Sequence, residues 1–69
     1  MEYIEDYYSE SLEKEIKVYL TYYDYDLATH YLDFEWEVQD ETGKDVRDDL
    51  PLVEQDECEN IARKFAKSI

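Results

Sequence analysis

The chain has 69 residues and carries 20 Asp and Glu against 7 Lys and Arg, a net charge of −13, while 16% of its residues are aromatic, eight of them tyrosines. The charge excludes direct binding to DNA or RNA, whose phosphates the field would repel, and the length excludes more than one small domain. Leu, Ile, Val and Phe together stay just above the composition at which disorder is the default, so the expectation is one acidic folded domain spanning residues 1–69.

At the N-terminus, Ile4, Tyr7, Tyr8, Ser11 and Leu12 recur at helical intervals, which predicts a short amphipathic helix over residues 2–12, with an extended segment as the alternative. Residues 15–25, EIKVYLTYYDY, alternate instead. Ile16, Val18, Leu20 and Tyr22 fall on one face and Lys17, Tyr19, Thr21 and Tyr23 on the other, and the β-branched and aromatic content agrees with a strand. Asp24 to His30, DYDLATH, suits a hairpin loop and is too short for a crossover helix, so the next strand should pair antiparallel. That strand, residues 31–39, YLDFEWEVQ, has the strictest period of two: Leu32, Phe34, Trp36 and Val38 against Tyr31, Asp33, Glu35, Glu37 and Gln39.

Glu41-Thr42-Gly43-Lys44 follows, where the only glycine supplies the positive φ of a tight turn, and a short third strand is expected through Val46. Pro51 opens the last element, a helix with Val53, Cys58, Ile61, Ala62, Phe65 and Ile69 as its apolar stripe. Glu54, Asp56, Glu57 and Glu59 load its amino end and Arg63, Lys64 and Lys67 its carboxyl end, as the helix dipole favours. Asp56 and Glu59 offer a capping box that would start the helix one turn later. The fold class is α+β: a small antiparallel sheet of two to three strands, a C-terminal helix on one sheet face and a short N-terminal helix, in the order α-β-β-(β)-α.

Chemistry-bearing groups are sparse. His30 sits in the hairpin loop, and no nucleophile motif surrounds it or Cys58. Cys58 is alone, which rules out an intrachain disulfide or a zinc set, and its neighbours Glu57 and Glu59 raise rather than lower a thiol pKa, so it reads as a core residue. There is no glycine-rich phosphate loop, and Asp24-Tyr25-Asp26 and Asp45 to Asp49 lack the spacing of a calcium loop. The expectation is therefore no enzyme, no metal and no cofactor. No apolar run approaches the ~18 residues of a membrane span, and MEYIEDYY lacks the layout of a signal peptide, so a cytoplasmic protein without a membrane partner is expected.

The charge itself remains. It is uneven: residues 1–26 and 27–50 each carry −6, and residues 51–69 carry −1. With Leu32, Phe34, Trp36 and Val38 inward, Asp33, Glu35 and Glu37 point outward in a row at intervals of ~6.6 Å. Successive phosphates of a nucleic-acid strand, with an axial rise of ~3.4 Å each and further separation from winding, are spaced on a similar scale. Asp24 and Asp26 at the hairpin tip, with Asp48 and Asp49 near the helix start, extend the row, and outward Tyr19, Tyr23 and Tyr25 either supply uncharged anchoring area or pack against the N-terminal segment. A basic nucleic-acid-binding protein is the partner such a surface fits. The rival expectation is an assembly module whose tyrosine-rich sheet face forms a homodimer, with the carboxylates only keeping it soluble.

This combination of a tiny chain, a large acidic surplus, an αβ hairpin fold and no catalytic set resembles the DNA-mimic inhibitors encoded by phages and mobile elements, among them anti-restriction and anti-CRISPR proteins. The stretch KVYLTYYDYDLATHYLDFEWEVQDETGKDV, continued through DDLP and an acid-started helix over about residues 16–65, is similar to small phage proteins that place a YDYD-type loop between two strands. The resemblance implies a phage or prophage origin and a partner in the host cytoplasm, and it transfers no functional residue.

Overall fold

The computed structural model describes residues 1–69, with strands β1 (Glu2–Ser9), β2 (Lys14–Asp26) and β3 (Tyr31–Gln39), a 3-10 turn at Arg47–Asp49, and helix α1 (Leu52–Ser68). The strands form one antiparallel sheet in the order β1-β2-β3, and α1 packs on one of its faces, an α+β arrangement measuring 41 × 22 × 17 Å.

The N-terminal segment is a strand, not the expected helix, and the reason is a β-bulge. Tyr3 pairs with Tyr19 and Glu5 with Val18, leaving Ile4 as the extra residue. A bulge turns the strand's step of two into a step of three, so Ile4 and Tyr7 both lean toward α1 at a spacing that imitates a helix. The expected third strand at Val46 is also absent as such. Asp45 makes a single bridge to Gln39, the Val46 amide donates to the Val38 carbonyl at 2.9 Å, and the chain then turns into the 3-10 segment. Gly43 has a φ of 85°, in a turn organised by Asp40. That carboxylate accepts from the Thr42 hydroxyl and the amides of Thr42 and Lys44, which lowers its pKa to about 2.

The core lies between the sheet and α1. Ile16, Val18, Leu20, Trp36 and Val38 from the strands meet Cys58, Ala62 and Ala66 from the helix, with Val46 and Leu50 closing one side. Small residues four apart let α1 approach the sheet closely. The buried line of the helix therefore runs Glu54, Cys58, Ala62, Ala66, flanked by the half-buried Ile61 and Phe65. Val53, 66% exposed, and Ile69, 61% exposed, lie outside it. Pro51 caps the helix through its carbonyl, which accepts from the amides of Glu54 and Gln55; the alternative start at Asp56 is not used. Burial pushes the Cys58 thiol up to about 12, with the carboxylates of Glu54 and Glu57 adding to it.

Glu54 is the unexpected member of that line. Its carboxylate accepts from the hydroxyl of the fully buried Ser9, and from the amide and hydroxyl of Ser11 at 3.1 Å each, tying the β1–β2 hairpin to the start of α1. These donors, the Ser9 hydroxyl foremost, hold its pKa below the ordinary glutamate value. A carboxylate whose pKa is lower folded than unfolded adds stability above the unfolded value, and this is lost as the pH falls through the folded one. The stability advantage of wild type over Glu54→Gln should therefore be complete above about pH 4.3 and shrink below it. Paired thermal melts across this range check it, and a gap that stays constant into strong acid would contradict it.

Candidate functional site

Only one face of the sheet is covered. Directly opposed residues share a face, so the strand registers sort the open one into rungs. In order along the sheet these are Tyr8 with Glu15; Asp6 with Lys17 and Gln39; Tyr3 with Tyr19 and Glu37; Tyr22 with Glu35; Asp24 with Asp33; and Asp26 with Tyr31.

A second bulge decides which tyrosines appear there. Leu20 pairs with Trp36 and Tyr22 with Glu35, so Thr21 is the extra residue and β2 exchanges its faces at that point. Tyr22, expected inward, joins the open face and is 46% exposed. Tyr23 and Tyr25, expected outward, turn to the helix side opposite Phe34 and Leu32. Tyr19 keeps its outward position, packed edge-on against Tyr3 with ring centroids 5.8 Å apart.

Of the expected acidic residues, Asp33, Glu35 and Glu37 do line the open face of β3, and Asp24 stands directly opposite Asp33. Asp26 lies on the same face, but its carboxylate accepts from the Ala28 amide at 2.9 Å and closes the hairpin loop. Asp48 and Asp49 belong to the 3-10 turn and take no place in the ladder. His30 closes the second hairpin with a φ of 59°, its ring 3.4 Å from the Tyr25 hydroxyl. No helix is long and apolar enough to cross a membrane.

The electrostatics of the face fall into two halves. At one end, the Lys17 ammonium lies 5.1 Å from the centre of the Tyr3 ring and 3.3 Å from Asp6, which also accepts from the Tyr3 hydroxyl at 2.8 Å. The hydrogen bond from Tyr3, then that from Lys17, lowers the Asp6 pKa. At the other end no cation answers the carboxylates. The remaining ion pairs join Lys14 to Asp40 and Glu41, and Arg63 to Glu59, all off this face. The Glu37 carboxylate accepts from the Gln39 side chain, whereas the carboxylates of Asp24, Asp33 and Glu35 have neither a hydrogen bond nor an ion pair. Tyr22 sits among these three: its hydroxyl pKa is raised by desolvation first and then by Asp24, Asp33 and Glu35.

No family model, curated protein or solved structure matches the chain. The site is therefore defined by its own geometry, a ladder of tyrosines and unneutralised carboxylates on an uncovered sheet.

Like charges directly opposed across two strands destabilise a sheet by up to about 1 kcal/mol. Screening should return part of that. Raising NaCl from about 0.1 M to 1 M shortens the Debye length from ~10 Å to ~3 Å, so the melting temperature should rise with salt, and Asp33→Asn should give part of the same rise at low salt. Differential scanning calorimetry reads both, and a melting temperature indifferent to salt and to Asp33→Asn would contradict this electrostatic picture.

Proposed function

We propose that this chain is an acidic inhibitor of the phage type, similar in action to anti-restriction or anti-CRISPR proteins, which occupies the nucleic-acid-binding groove of a basic host defence or regulatory complex. Asp33, Glu35 and Glu37, with Asp24 beside them, stand in for a row of phosphates, and Tyr19 and Tyr22 provide contact area at little entropic cost.

The observation that carries this reading is the Asp24–Asp33 opposition with Glu35 on the next rung and no cation in reach. A sheet that only needed solubility gains nothing from setting two carboxylates face to face on paired strands. A basic surface converts that repulsion into attraction, accelerates encounter and makes the complex salt-sensitive. The longest dimension, 41 Å, also spans slightly more than one duplex turn of ~34 Å, so one inhibitor matches the reach of a short stretch of nucleic acid. The reading involves no catalytic step and no cofactor. Its test is mutual exclusion: the protein and the partner's own DNA or RNA should compete for one groove.

The tyrosines keep one rival in view, an assembly module that dimerises through this face. Tyr3, Tyr8, Tyr22 and Tyr31 are all well exposed on it. Self-association would bring two copies of the same carboxylate row together, so this rival forecasts dimers that strengthen with salt, whereas groove binding weakens with salt. Sedimentation velocity at two salt concentrations separates the two.

A further inference from the structure

β2 is longer than the strand beside it. Pairing with β1 ends at Leu20, opposite Glu2, while β2 continues to Asp26 paired only with β3. Beyond Leu20 the sheet is thus a two-stranded ribbon, and one edge of β2 from Thr21 to Asp26 has no neighbouring strand. Such an edge presents a row of backbone donors and acceptors to whatever strand arrives. An open notch of about 210 Å³, lined by Met1, Glu2, Leu20, Thr21, Tyr22 and Tyr23, marks the point where β1 stops and this edge begins.

We infer that the free edge of β2, Thr21–Asp26, seats an extended segment of the partner as a fourth strand, with arginine at alternate positions on the open face. The inference rests on the proposed basic partner and adds how that partner is gripped.

Charge selects the occupant. A strand added here places alternate side chains beside Tyr22 and Asp24, with the carboxylates of Asp33 and Glu35 one strand further across the same face. A second copy of this edge would bring Asp24 and Asp26 against their own kind, a gatekeeping arrangement that discourages self-pairing. The face already shows what it does with a cation, since Lys17 is held between the Tyr3 ring and the Asp6 carboxylate. Tyr22 and Asp24, neighbours on the open face of β2, offer an incoming cation the same two kinds of group, a ring and a carboxylate, with no internal cation between them. Arginine suits them better than lysine because a guanidinium stacks on a ring while forking to a carboxylate. The outer edge of β3 is a poorer seat: the Arg47 guanidinium donates to the Trp36 carbonyl at 3.1 Å and puts a cation where a basic strand would land.

The test uses the wild-type protein and a short blocked peptide in which arginine alternates with threonine, at low salt. Amide hydrogen exchange should slow at alternate residues within Thr21–Asp26 when the peptide binds. Two N-methylated forms of the peptide then probe the edge. Methylating the alternate amides that face β2 should weaken binding about tenfold or more, and methylating the other set should leave it within about twofold, since only one set reaches the edge. Binding with no protection at Thr21–Asp26 and equal loss from both methylated forms would overturn the edge inference while leaving an anionic face that attracts cations. No binding at all would overturn both. Protection that appears in concentrated protein without peptide, together with dimers, would assign the edge to a second copy and overturn the inference as well.

Discussion

Trp36→Asp will abolish the cooperative thermal transition, while Glu35→Lys, one residue away on the same strand, will leave the melting temperature unchanged or raise it. Trp36 is 6% exposed, opposed by Leu20 on β2 and covered by the Arg47 guanidinium 3.9 Å above its ring. Truncating a buried tryptophan costs ~3–5 kcal/mol in lost packing, and a core of this size supplies only ~3–5 kcal/mol in all. Arg47 offers the new carboxylate a partner but cannot refill the volume. Glu35 is exposed and its carboxylate has no hydrogen bond, next to the Asp24–Asp33 pair, so a lysine there removes repulsion and disturbs no packing. Circular dichroism melts of the two variants decide the strand register, because a slip by one residue exchanges the faces. Similar melting temperatures would show that Trp36 does not face α1.

The second large effect concerns binding. Reversing Asp33, Glu35 and Glu37 together to lysine shifts the net charge by two per site, from −13 to −7 in all, and concentrates the change on one face of β3. Affinity for a basic nucleic-acid-binding partner should fall by at least about a hundredfold, since attraction becomes like-charge opposition at the contact. The fold should survive, because the three side chains lie on the open face and Asp24 gains a cationic neighbour across the strands. Isothermal titration against the partner, with a melt of the variant alongside, separates lost contact from lost structure. A folded triple variant that binds as wild type does would remove the phosphate-like role of the row.

What the sequence makes legible is whatever obeys an unbroken period. β3 alternates without interruption, so its inward Trp36 and Val38 and its outward Asp33, Glu35 and Glu37 can be read directly. The two bulges hide the rest. Alternation in β2 is carried by Ile16, Val18 and Leu20 at even positions and by Tyr23 and Tyr25 at odd ones, and the phase break at Thr21 is the only trace of the face exchange that puts Tyr22, not Tyr23 and Tyr25, on the open side. At Ile4 a single extra residue makes a strand look helical. The Glu54 staple leaves no sequence signal of its own, because Ser9 and Glu54 are 45 positions apart and an acid near a helix start has a sufficient local explanation in the dipole. The uncovered edge at Thr21–Asp26 is likewise invisible until the unequal lengths of β1 and β2 are known.

The claim that the open face takes the place of nucleic acid is tested most directly by competition on the partner. With the partner captured from host lysate and loaded with fluorescently labelled DNA or RNA, anisotropy is followed as wild-type protein is added. The account predicts that the labelled nucleic acid is displaced, that displacement weakens steeply as salt rises, and that the Asp33, Glu35 and Glu37 triple reversal displaces nothing. A ternary complex, in which partner, protein and nucleic acid remain together with no loss of affinity on either side, would contradict it.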